Sequence, residues 1–475
     1  MDSVPARRFR EKVLRRILEL TDMHNRDNLH RAALLLIDLK RAHTIDEATA
    51  ILNRYRLTVA VGKDAAHTES GQACLLTIVN TAARTCVGGV YIVGIDGSES
   101  LLTALGSGMT LGQSIRRLGG LICSEAPGDT PLILIGDCDL PPSGEPTLRA
   151  TYGGWSGGIV SDESFRLSED SSFAPAAIFA GALAVSECFA YLVGGEVLAG
   201  YRSMGLSLYE PGTDWRSDQS AHPLYLPDAL WLLGLGHLGQ AYAWTLGALP
   251  YPAKQKPLVY LQDDDVATPA NLSTSVLTHT RHVDRLKTRF VARWLEARGF
   301  TTRLIERRFT EELRRESADP HILLCGVDNL PTRRLLERPG FSFVIDAGLG
   351  ASAADYDGFF VQAFTNTGRA ANAFPNPTRI QTRDERVANN QSGYDSLGHD
   401  QCGMHWAADV VVGVPFVGIA VSCLVLAGVA RAMDGGSLFD TIAGNLRSID
   451  QVDAYSAGTT VRNPGYISPQ VKSSL

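Results

Sequence analysis

Three glycines constrain this chain more than any other feature of its sequence. Gly234, Gly236 and Gly239 follow an apolar run that begins at Ala229, and they precede a run rich in alanine and aromatic residues that begins at Gln240. A strand, a glycine-rich turn and a helix in this order let backbone N–H groups approach a phosphate. The turn predicts a nucleotide site. NAD, FAD and ATP fit it about equally, and a purely structural turn is the alternative.

An acidic cluster follows the next predicted strand. This strand runs from Pro257 to Leu261, and Asp263 and Asp265 come directly after it. Asp263 lies 24 residues beyond Gly239, close to the position at which an acidic side chain accepts hydrogen bonds from ribose hydroxyl groups. The cluster supports a nucleotide site without fixing its type. A group of solvated acids at a strand end is the alternative.

The predicted strands occur in two series, one in each half of the chain. Short apolar runs begin at residues 57, 89 and 131 in the first half and at residues 229, 257 and 321 in the second. In each half a proline, Pro175 or Pro415, then opens an apolar helix that ends before paired glycines. The repeated order predicts an α/β fold in which two Rossmann-like halves pack as a pseudo-dimer within one chain. The strand rhythm common to any two α/β domains is the alternative.

Composition and periodicity divide the chain into five segments. They are a helical N-terminal segment at 1–56, a first Rossmann-like domain at 57–204, a linker at 205–223, a second such domain at 224–450 and a C-terminal tail at 451–475. A polar stretch at 365–402 is expected to form an exposed crossover loop. The residues after Gly62 lack the glycine spacing of the second half, so the first domain is expected to be a degenerate, inactive copy.

Charge and cysteine usage exclude several classes of protein. The net charge of −7 gives no electrostatic drive toward nucleic acid, so no nucleic-acid binding is expected. The apolar run Val410–Ala430 contains glycines and a proline and is predicted to be a buried helix, so no membrane span is expected. The basic N-terminal stretch lacks the apolar core of a signal peptide. The eight cysteines include no CxxC pair, and reduced thiols in the cytoplasm are expected.

Four segments of the second half follow one another in a distinctive order. After the glycine loop, Asp265 precedes Asn271 by six residues, Lys287 lies on the next predicted helix, and Asp328 begins the segment Asp-Asn-Leu-Pro-Thr-Arg. This pattern, over residues 229–350, resembles the adenylation domain of the ubiquitin-activating superfamily, which includes ThiF, MoeB and HesA. The resemblance implies an ATP-dependent adenylyltransferase with ThiF-type halves. It also implies that the three glycines and Asp265 belong to the nucleotide site.

The resemblance gives the remaining residues their roles. It implies that Asp263 holds the ribose, that Asn271 and Lys287 contact the triphosphate and that Asp328 binds Mg²⁺. An ATP-splitting site needs cationic donors and a metal ligand to neutralise charge on phosphate oxygens, whereas hydride transfer needs neither. The alternatives are a solvated helix face for Lys287 and a helix N-cap for Asp328.

One position departs from the family pattern. The family usually places an arginine shortly after Asn-Leu, where this chain has Thr274. Arg281 or Arg285 could replace that phosphate contact. In this family an arginine from the partner subunit also reaches the nucleotide, and here it would come from the first half or from the basic N-terminal helix.

Cys402 stands where several family members carry the cysteine that is covalently linked to the activated protein tail. Exposure at the end of the crossover loop would favour a reactive thiolate, and a structural role is the alternative. Cys325 and Cys423 are expected to be packing residues. The expected partners are the C-terminal tail of a ubiquitin-like protein and a conjugating enzyme.

The leading hypothesis is an activating enzyme of a bacterial ubiquitination-like system, with antiphage defence as a context by analogy. The chain would act as a monomeric pseudo-dimer or as a higher oligomer. Two other functions stay open. An NAD-dependent Rossmann oxidoreductase is supported only by the glycine loop and Asp263, and a non-catalytic scaffold derived from the same family is suggested by Thr274 and the degenerate first half.

Overall fold

A computed structural model describes residues 29–138, 145–161, 165–217, 222–253, 255, 257–350, 352–365, 369–374, 413–456, 458 and 465–467. Cys402 and most of the predicted crossover loop lie outside the described residues. Two helices precede the first sheet, α1 (Arg31–Asp38) and α2 (Ile45–Leu52). The Thr44 hydroxyl caps α2 by accepting a hydrogen bond from the Glu47 N–H at 3.1 Å. The described part of the N-terminal segment is therefore helical, as predicted.

Seven strands form the first sheet, in the order β3-β2-β1-β4-β5-β6-β7. They are β1 (Arg56–Val61), β2 (Gly89–Val93), β3 (Gly120–Ile122), β4 (Leu132–Ile135), β5 (Thr147–Gly153), β6 (Ser156–Val160) and β7 (Met204–Ser207). The first five strands are parallel, and β6 and β7 join in antiparallel pairing. The helices of this half are α3 (Lys63–Ala66), α4 (Glu69–Ala82), α5 (Leu111–Leu118) and α6 (Ala174–Val193).

Eight strands form the second sheet, in the order β11-β10-β9-β12-β13-β14-β15-β16. They are β9 (Ala229–Leu233), β10 (Leu258–Gln262), β11 (Thr301–Ile305), β12 (Ile322–Cys325), β13 (Phe343–Leu349), β14 (Gly358–Phe364), β15 (Thr441–Asn445) and β16 (Asp453–Tyr455). The helices are α7 (His237–Gly247), α8 (Lys287–Glu296), α9 (Leu330–Arg333), α10 (Ala370–Ala373) and α11 (Pro415–Met433). Short 3-10 helices span Pro269–Ser273, Thr280–His282, Ala353–Asp355 and Leu446–Gln451.

The two sheets share one topology. In each, the chain starts on a central strand, moves outward over two strands, returns to the other side of the first strand and ends in antiparallel strands. This finding confirms the predicted α/β class and the repeated order of elements. Because the chain returns from β11 to the other side of β9, a topological switch point lies beside β9. Ligands of open α/β sheets bind at the carboxyl ends of the strands that flank such a point. The residues that follow β9, β10 and β12 therefore meet at one edge.

Two long apolar helices join the cores of the halves. Helix α6 packs against α4 and α11, and α11 packs against α7. By length and composition, both α6 and α11 could cross a membrane, but 83% and 94% of their apolar windows are buried inside the protein. Such burial is typical of core helices, and it agrees with the buried helix predicted at 410–430.

Polar contacts also connect the halves. The Trp244 indole N–H donates to the Thr77 hydroxyl at 3.1 Å, and both side chains are buried. Burial lowers the pKa of Arg84, at the end of α4, to about 10, so its guanidinium stays charged at neutral pH. It donates charge-assisted hydrogen bonds to three backbone carbonyls of the second half, those of Leu272, Val276 and Thr278.

Two predicted boundaries are wrong. Strand β7 ends at Ser207, so residues 205–207 belong to the first sheet and not to the linker. The predicted tail from 451 contributes β16 to the second sheet, and β17 (Tyr466–Ile467) pairs with β8 (Leu226–Pro227). These strands have two to four residues, which is too short for a period-two pattern to stand out in a sequence.

Candidate functional site

The glycine loop joins β9 to α7, and its three glycines differ in their backbone conformation and in the space around them. Gly234 has a φ of +80°, a conformation that favours glycine. A Cβ at Gly239 would lie 1.8 Å from the Gly234 carbonyl oxygen, so a side chain there would push α7 away from the loop. A Cβ at Gly236 would meet nothing within 4 Å. The side-chain position of Gly236, the residue before α7, therefore opens onto empty space. This space leaves room for a phosphate near the start of the helix.

Asp263 is held against this loop. Its Oδ2 accepts a hydrogen bond from the Leu235 N–H at 2.6 Å, and its Oδ1 accepts one from the Asp265 N–H at 2.8 Å. Burial raises the pKa of the Asp263 carboxyl, while the Lys287 ammonium and the two N–H groups oppose that shift. The carboxylate is fixed at the carboxyl end of β10, and each oxygen keeps a lone pair for a hydroxyl donor. Its role as the ribose ligand stays a prediction.

Lys287 begins α8 and points to the same edge of the sheet. Its Nζ lies 2.8 Å from the Asp265 Oδ2, and its backbone N–H donates to the Asp265 carbonyl at 3.0 Å. The lysine is only 8% exposed, whereas the Asp265 side chain is 67% exposed. The alternative of a solvated helix face for Lys287 is therefore wrong. The nearly buried Lys287 side chain thus pairs with Asp265, which follows β10, the strand next to β9 and its glycine loop. The Asp265 carboxylate orients the lysine.

Asn271 and Thr274 lie in and just after the 3-10 helix Pro269–Ser273. The Asn271 Oδ1 accepts a hydrogen bond from the Thr268 N–H at 2.9 Å, so this side chain caps the turn. Its amide nitrogen is the group left to donate to a phosphate. Thr274 is buried and carries no charge, so this segment lacks the cation that the family pattern would supply.

Asp328 follows β12, the neighbour of β9. A Cβ at Gly234 would lie 2.8 Å from the Val327 side chain, which brings the start of the Asp328 segment against the glycine loop. The cap of α9 is Asn329, whose Oδ1 accepts from the Thr332 N–H at 2.8 Å. The alternative that made Asp328 the cap is therefore wrong. Its side chain is exposed and, among the described residues, takes part in no hydrogen bond or ion pair.

Arg333, the last residue of the Asp-Asn-Leu-Pro-Thr-Arg segment, has a structural role. Its guanidinium donates to the Val327 carbonyl and to the Ala347 carbonyl, each at 2.9 Å. It thereby ties the segment to β13. Since Val327 precedes Asp328, these bonds help to set where the Asp328 carboxylate lies.

The corresponding loop of the first half has the opposite electrostatic character. A Cβ at Gly62 would lie 2.3 Å from the Asp64 carboxylate, and the same carboxylate accepts a hydrogen bond from the Asp137 N–H at 2.9 Å. Arg166 pairs with both Asp64 and Asp137. Carboxylates and their arginine occupy the place where a phosphate-binding loop would present N–H groups.

Two arginines of the first half reach the Asn271 segment. The Arg84 guanidinium donates to the Leu272 carbonyl of this segment. The backbone N–H of Arg31 donates to the Ser273 hydroxyl at 3.2 Å, and α1 packs against the 3-10 helix. Sequence motifs identify neither residue, because the Arg31 contact joins positions 242 residues apart. The expectation of an arginine from the first half or the N-terminal helix is the one signal that pointed toward them.

The sequence matches the BilD N-terminal domain over residues 56–208 and the BilD C-terminal domain over residues 226–436. It is 36% identical over 431 residues to the bacterial E1-like protein BilD of Collimonas sp. (strain OK412), covering 90% of this chain and 93% of that protein. The chain belongs to the BilD family of bacterial E1-like proteins. The resemblance to ubiquitin-activating enzymes is thereby confirmed at the level of the family.

Two solved structures align with part of this BilD family member. E. coli MccB, crystallised with AMPCPP and MccA, aligns at 16% identity over 49% of the present chain and 64% of the MccB chain, with a TM-score of 0.32. Selenomethionine PaaA aligns at 13% identity over the same shares, also with a TM-score of 0.32. The chain thus spans just under two thirds of these structural relatives.

Several carboxylates in this BilD family member could hold a cation. Ligand oxygens of Asp263, Asp264 and Asp265 lie within 4.8 Å of one another. Arg308 pairs with Asp264 at 3.1 Å and Lys287 with Asp265 at 2.8 Å, so much of that charge is neutralised within the chain. Asp328 is an exposed carboxylate with no such cation among the described residues, and hard divalent cations prefer carboxylate oxygen.

The two arginines considered as replacements at Thr274 lie elsewhere. Arg281 and Arg285 are exposed and line a cleft whose walls include neither the glycine loop nor Asp328. The geometry therefore gives no support to a phosphate contact from either residue.

Sequence reasoning also missed His237. This residue follows Gly236, and a Cβ at Gly418 would lie 2.5 Å from its buried Nε2. Burial lowers the pKa of His237 to about 4, so the imidazole is neutral at physiological pH. The contact fixes the glycine loop to the start of α11, whose glycines leave room for the ring.

Asp346 on β13 is a second missed residue, and it is fully buried. Neither carboxylate oxygen has a hydrogen-bond partner among the described residues, and the Arg333 Nε is 3.4 Å away with its donors directed to carbonyls. Burial raises the pKa of Asp346 to about 6, against an opposing effect of Arg333. No motif marks this position, which is the fourth of the seven residues of β13.

The raised pKa predicts a pH dependence of stability. The folded state binds the Asp346 proton more tightly than the unfolded state, so the contribution is most favourable below the unfolded pKa and is lost as pH rises toward and past 6. Between about pH 5 and 7 this loss amounts to about 1 kcal/mol. The Asp346→Asn variant should not show this loss, because asparagine does not titrate. Urea titrations should therefore find that its unfolding free energy rises relative to wild type between about pH 5 and 7.

Asp450→Asn, at an exposed carboxylate, is the matched control and should run parallel to wild type across the same pH range. Parallel behaviour of Asp346→Asn and wild type would show that Asp346 is ionised in the folded protein throughout.

Proposed function

We propose that this BilD family member uses ATP to adenylate the C-terminal carboxylate of a ubiquitin-like protein, at the second-half site. The observation that carries the proposal is the open space at the side-chain position of Gly236. The same edge of the sheet carries Asp263, the Lys287–Asp265 pair and Asp328. In the reaction, a carboxylate oxygen bonds to the α-phosphorus of ATP while the bond to the bridging β-phosphate oxygen breaks. The products are the acyl adenylate and pyrophosphate.

Each residue has a task that its geometry suits. The N–H groups at the start of α7 bind phosphate oxygens, and the Asp263 carboxylate orients the ribose. The Lys287 ammonium stabilises negative charge that develops on the leaving pyrophosphate. Asp328 would hold Mg²⁺, which when bound neutralises phosphate charge.

The cation missing at Thr274 has a candidate replacement in Arg31. Helix α1 lies against the 3-10 helix that carries Asn271. The backbone N–H of Arg31 donates a hydrogen bond to the Ser273 hydroxyl of that helix. We infer that Arg31, on α1 of the N-terminal segment, supplies a positive charge near the triphosphate. The first half would then be an inactive partner whose own loop is blocked by Asp64, and the chain would work as a pseudo-dimer.

An NAD-dependent oxidoreductase is less well supported by the same geometry. Hydride transfer has no use for a nearly buried ammonium or for an exposed metal ligand beside the glycine loop. A non-catalytic scaffold is disfavoured because the loop of the second half has kept its open space, whereas that of the first half has filled it.

Removal of the charge of either Lys287 or Asp328 should abolish most of the adenylation activity. With a cognate ubiquitin-like protein, Lys287→Ala and Asp328→Asn should each lower ATP–pyrophosphate exchange by about a hundredfold or more, because each removes a group that stabilises charge on phosphate. Isotope exchange between pyrophosphate and ATP measures this adenylation step directly.

Lys63→Ala is the matched control, since Lys63 is an exposed lysine that follows β1 in the first half. It should exchange at the wild-type rate. Equal exchange by wild type and both second-half variants would remove Lys287 and Asp328 from the site.

We further propose that Cys402 accepts the activated tail as a thioester and passes it to a conjugating enzyme. The thiolate would attack the acyl carbon and release AMP. The seven cysteines in the described part of the chain are free thiols, and five of them are buried, so most are poorly placed to react. Free thiols also agree with the cytoplasmic location that we propose.

Intact-mass analysis should find a wild-type adduct, formed with ATP and the ubiquitin-like protein, that hydroxylamine removes. Cys402→Ala should lack this adduct while it retains pyrophosphate exchange, because adenylation precedes thiol transfer. Cys423→Ala, at a fully buried thiol, is the control and should form the adduct. An adduct that persists in Cys402→Ala would exclude Cys402 as the acceptor.

A further inference from the structure

A large cleft lies where the two halves meet, away from the glycine loop. Its volume is about 950 Å³. One wall comes from the first half, between Leu105 and Leu118, and the other from the second half, between Val276 and Arg298. Clefts between domains are favoured places for ligands. The residues predicted to bind nucleotide are not among those that line it.

The walls of this cleft are strongly basic. Six arginines line it and the single acidic residue among its lining residues is Asp284; the arginines are Arg117, Arg281, Arg285, Arg289, Arg293 and Arg298. The whole chain carries a net charge of −7, so this concentration of positive charge opposes the average of the surface. A cleft lined by one sign of charge concentrates ligands of the other sign.

Two of these six guanidinium groups are free to bind a ligand, whereas Arg117 and Arg281 donate to Ser107 and His282, each at 3.2 Å. Arg289 pairs with Glu306 at 2.8 Å, and Arg298 is held by the Leu105 and Gly106 carbonyls. Arg285 and Arg293 are exposed and have no carboxylate partner among the described residues. Arginine presents a planar fork of donors that matches carboxylate geometry.

The aromatic residues of the cleft are already stacked. The Arg298 guanidinium lies 3.5 Å from the centroid of the Trp294 ring, and Trp294 also stacks with Trp244. The Phe290 ring stacks on His282 at 4.4 Å. Single-stranded nucleic acids bind largely through bases stacked on free aromatic faces. Both rings already have stacking partners within the chain, so we assign recognition by the cleft to its guanidinium groups.

The spacing of the arginines suits an extended peptide. Arg289 and Arg293 are four residues apart on α8, a rise of about 6 Å along the helix. Alternate side chains of an extended strand lie about 6.7 Å apart on one side. Carboxylates at every second position of a peptide would therefore meet successive arginines of α8, and Arg117 of α5 would contact the peptide from the opposite wall.

We propose that this cleft binds an extended acidic segment, rich in Asp or Glu, of a partner protein. The site is separate from the adenylation site, and binding needs no ATP. It would hold a partner across the junction of the two halves, so that recognition depends on both.

The test uses the full chain and a fluorescein-labelled peptide in which glutamate alternates with serine, at low salt and without ATP. Fluorescence anisotropy should show binding to wild type that weakens as salt is added, because exposed charges are screened. The Arg117→Glu/Arg293→Glu double variant should bind about tenfold or more weakly. Arg54→Glu, at an exposed arginine of the first half outside the cleft, should bind as wild type.

Pyrophosphate exchange should be unchanged in the double variant, so failure at the cleft is distinguishable from failure at the adenylation site. Four outcomes would overturn the proposal: no binding to wild type, equal binding to the double variant, equal binding of a glutamine–serine peptide, or displacement of the peptide by ATP. Tighter binding of an oligothymidine than of the acidic peptide would also overturn it, in favour of a nucleic-acid ligand.

Discussion

The close approach of α7 to the strand before it determines much of this structure. Gly239 lies so near the Gly234 carbonyl that no side chain fits between them, and the space at Gly236, just before the helix, stays open. The strands that flank β9 then bring Asp263 and Val327 to the same edge. A side chain at Gly239 would disturb these positions together, since they share one loop.

The same backbone plan gives a different result in the first half. Both sheets follow one strand order and each half contains one long apolar helix, and these helices, α6 and α11, pack together. In the first half, however, Asp64 and Arg166 fill the space in front of the loop. Helices α1 and α4 nevertheless bring Arg31 and Arg84 to the Asn271 segment. Under the proposed function, the first half would give support and the second half would carry the chemistry.

The fold was largely predictable because its signals are local. Parallel buried strands, glycine spacing and proline-initiated helices each occupy a short stretch of sequence, and the structure contains them within a residue or two of the predicted positions. The predictable part of the site, from Gly234 to Asp328, follows one ordered pattern. Strands of two to four residues escaped prediction because so short a run carries no period.

What could not be predicted depends on contacts between distant residues. Arg84, the buried Asp346 and the basic cleft arise where elements far apart in the chain meet, and no spacing in the sequence encodes such a meeting. Thr274 is an instructive case. The sequence showed that the family cation was missing and suggested Arg281 or Arg285, whereas the geometry turns both away and brings Arg31 from the first half close to the same segment.

The proposed function requires that the second half binds the nucleotide and that the first half does not. A structure of the full chain with Mg²⁺ and a non-hydrolysable ATP analogue tests it most directly. We expect one nucleotide for each chain, with phosphates at the start of α7, the ribose on Asp263 and the metal on Asp328. A nucleotide beside Gly62 and Asp64 in the first half, or one in each half, would contradict it.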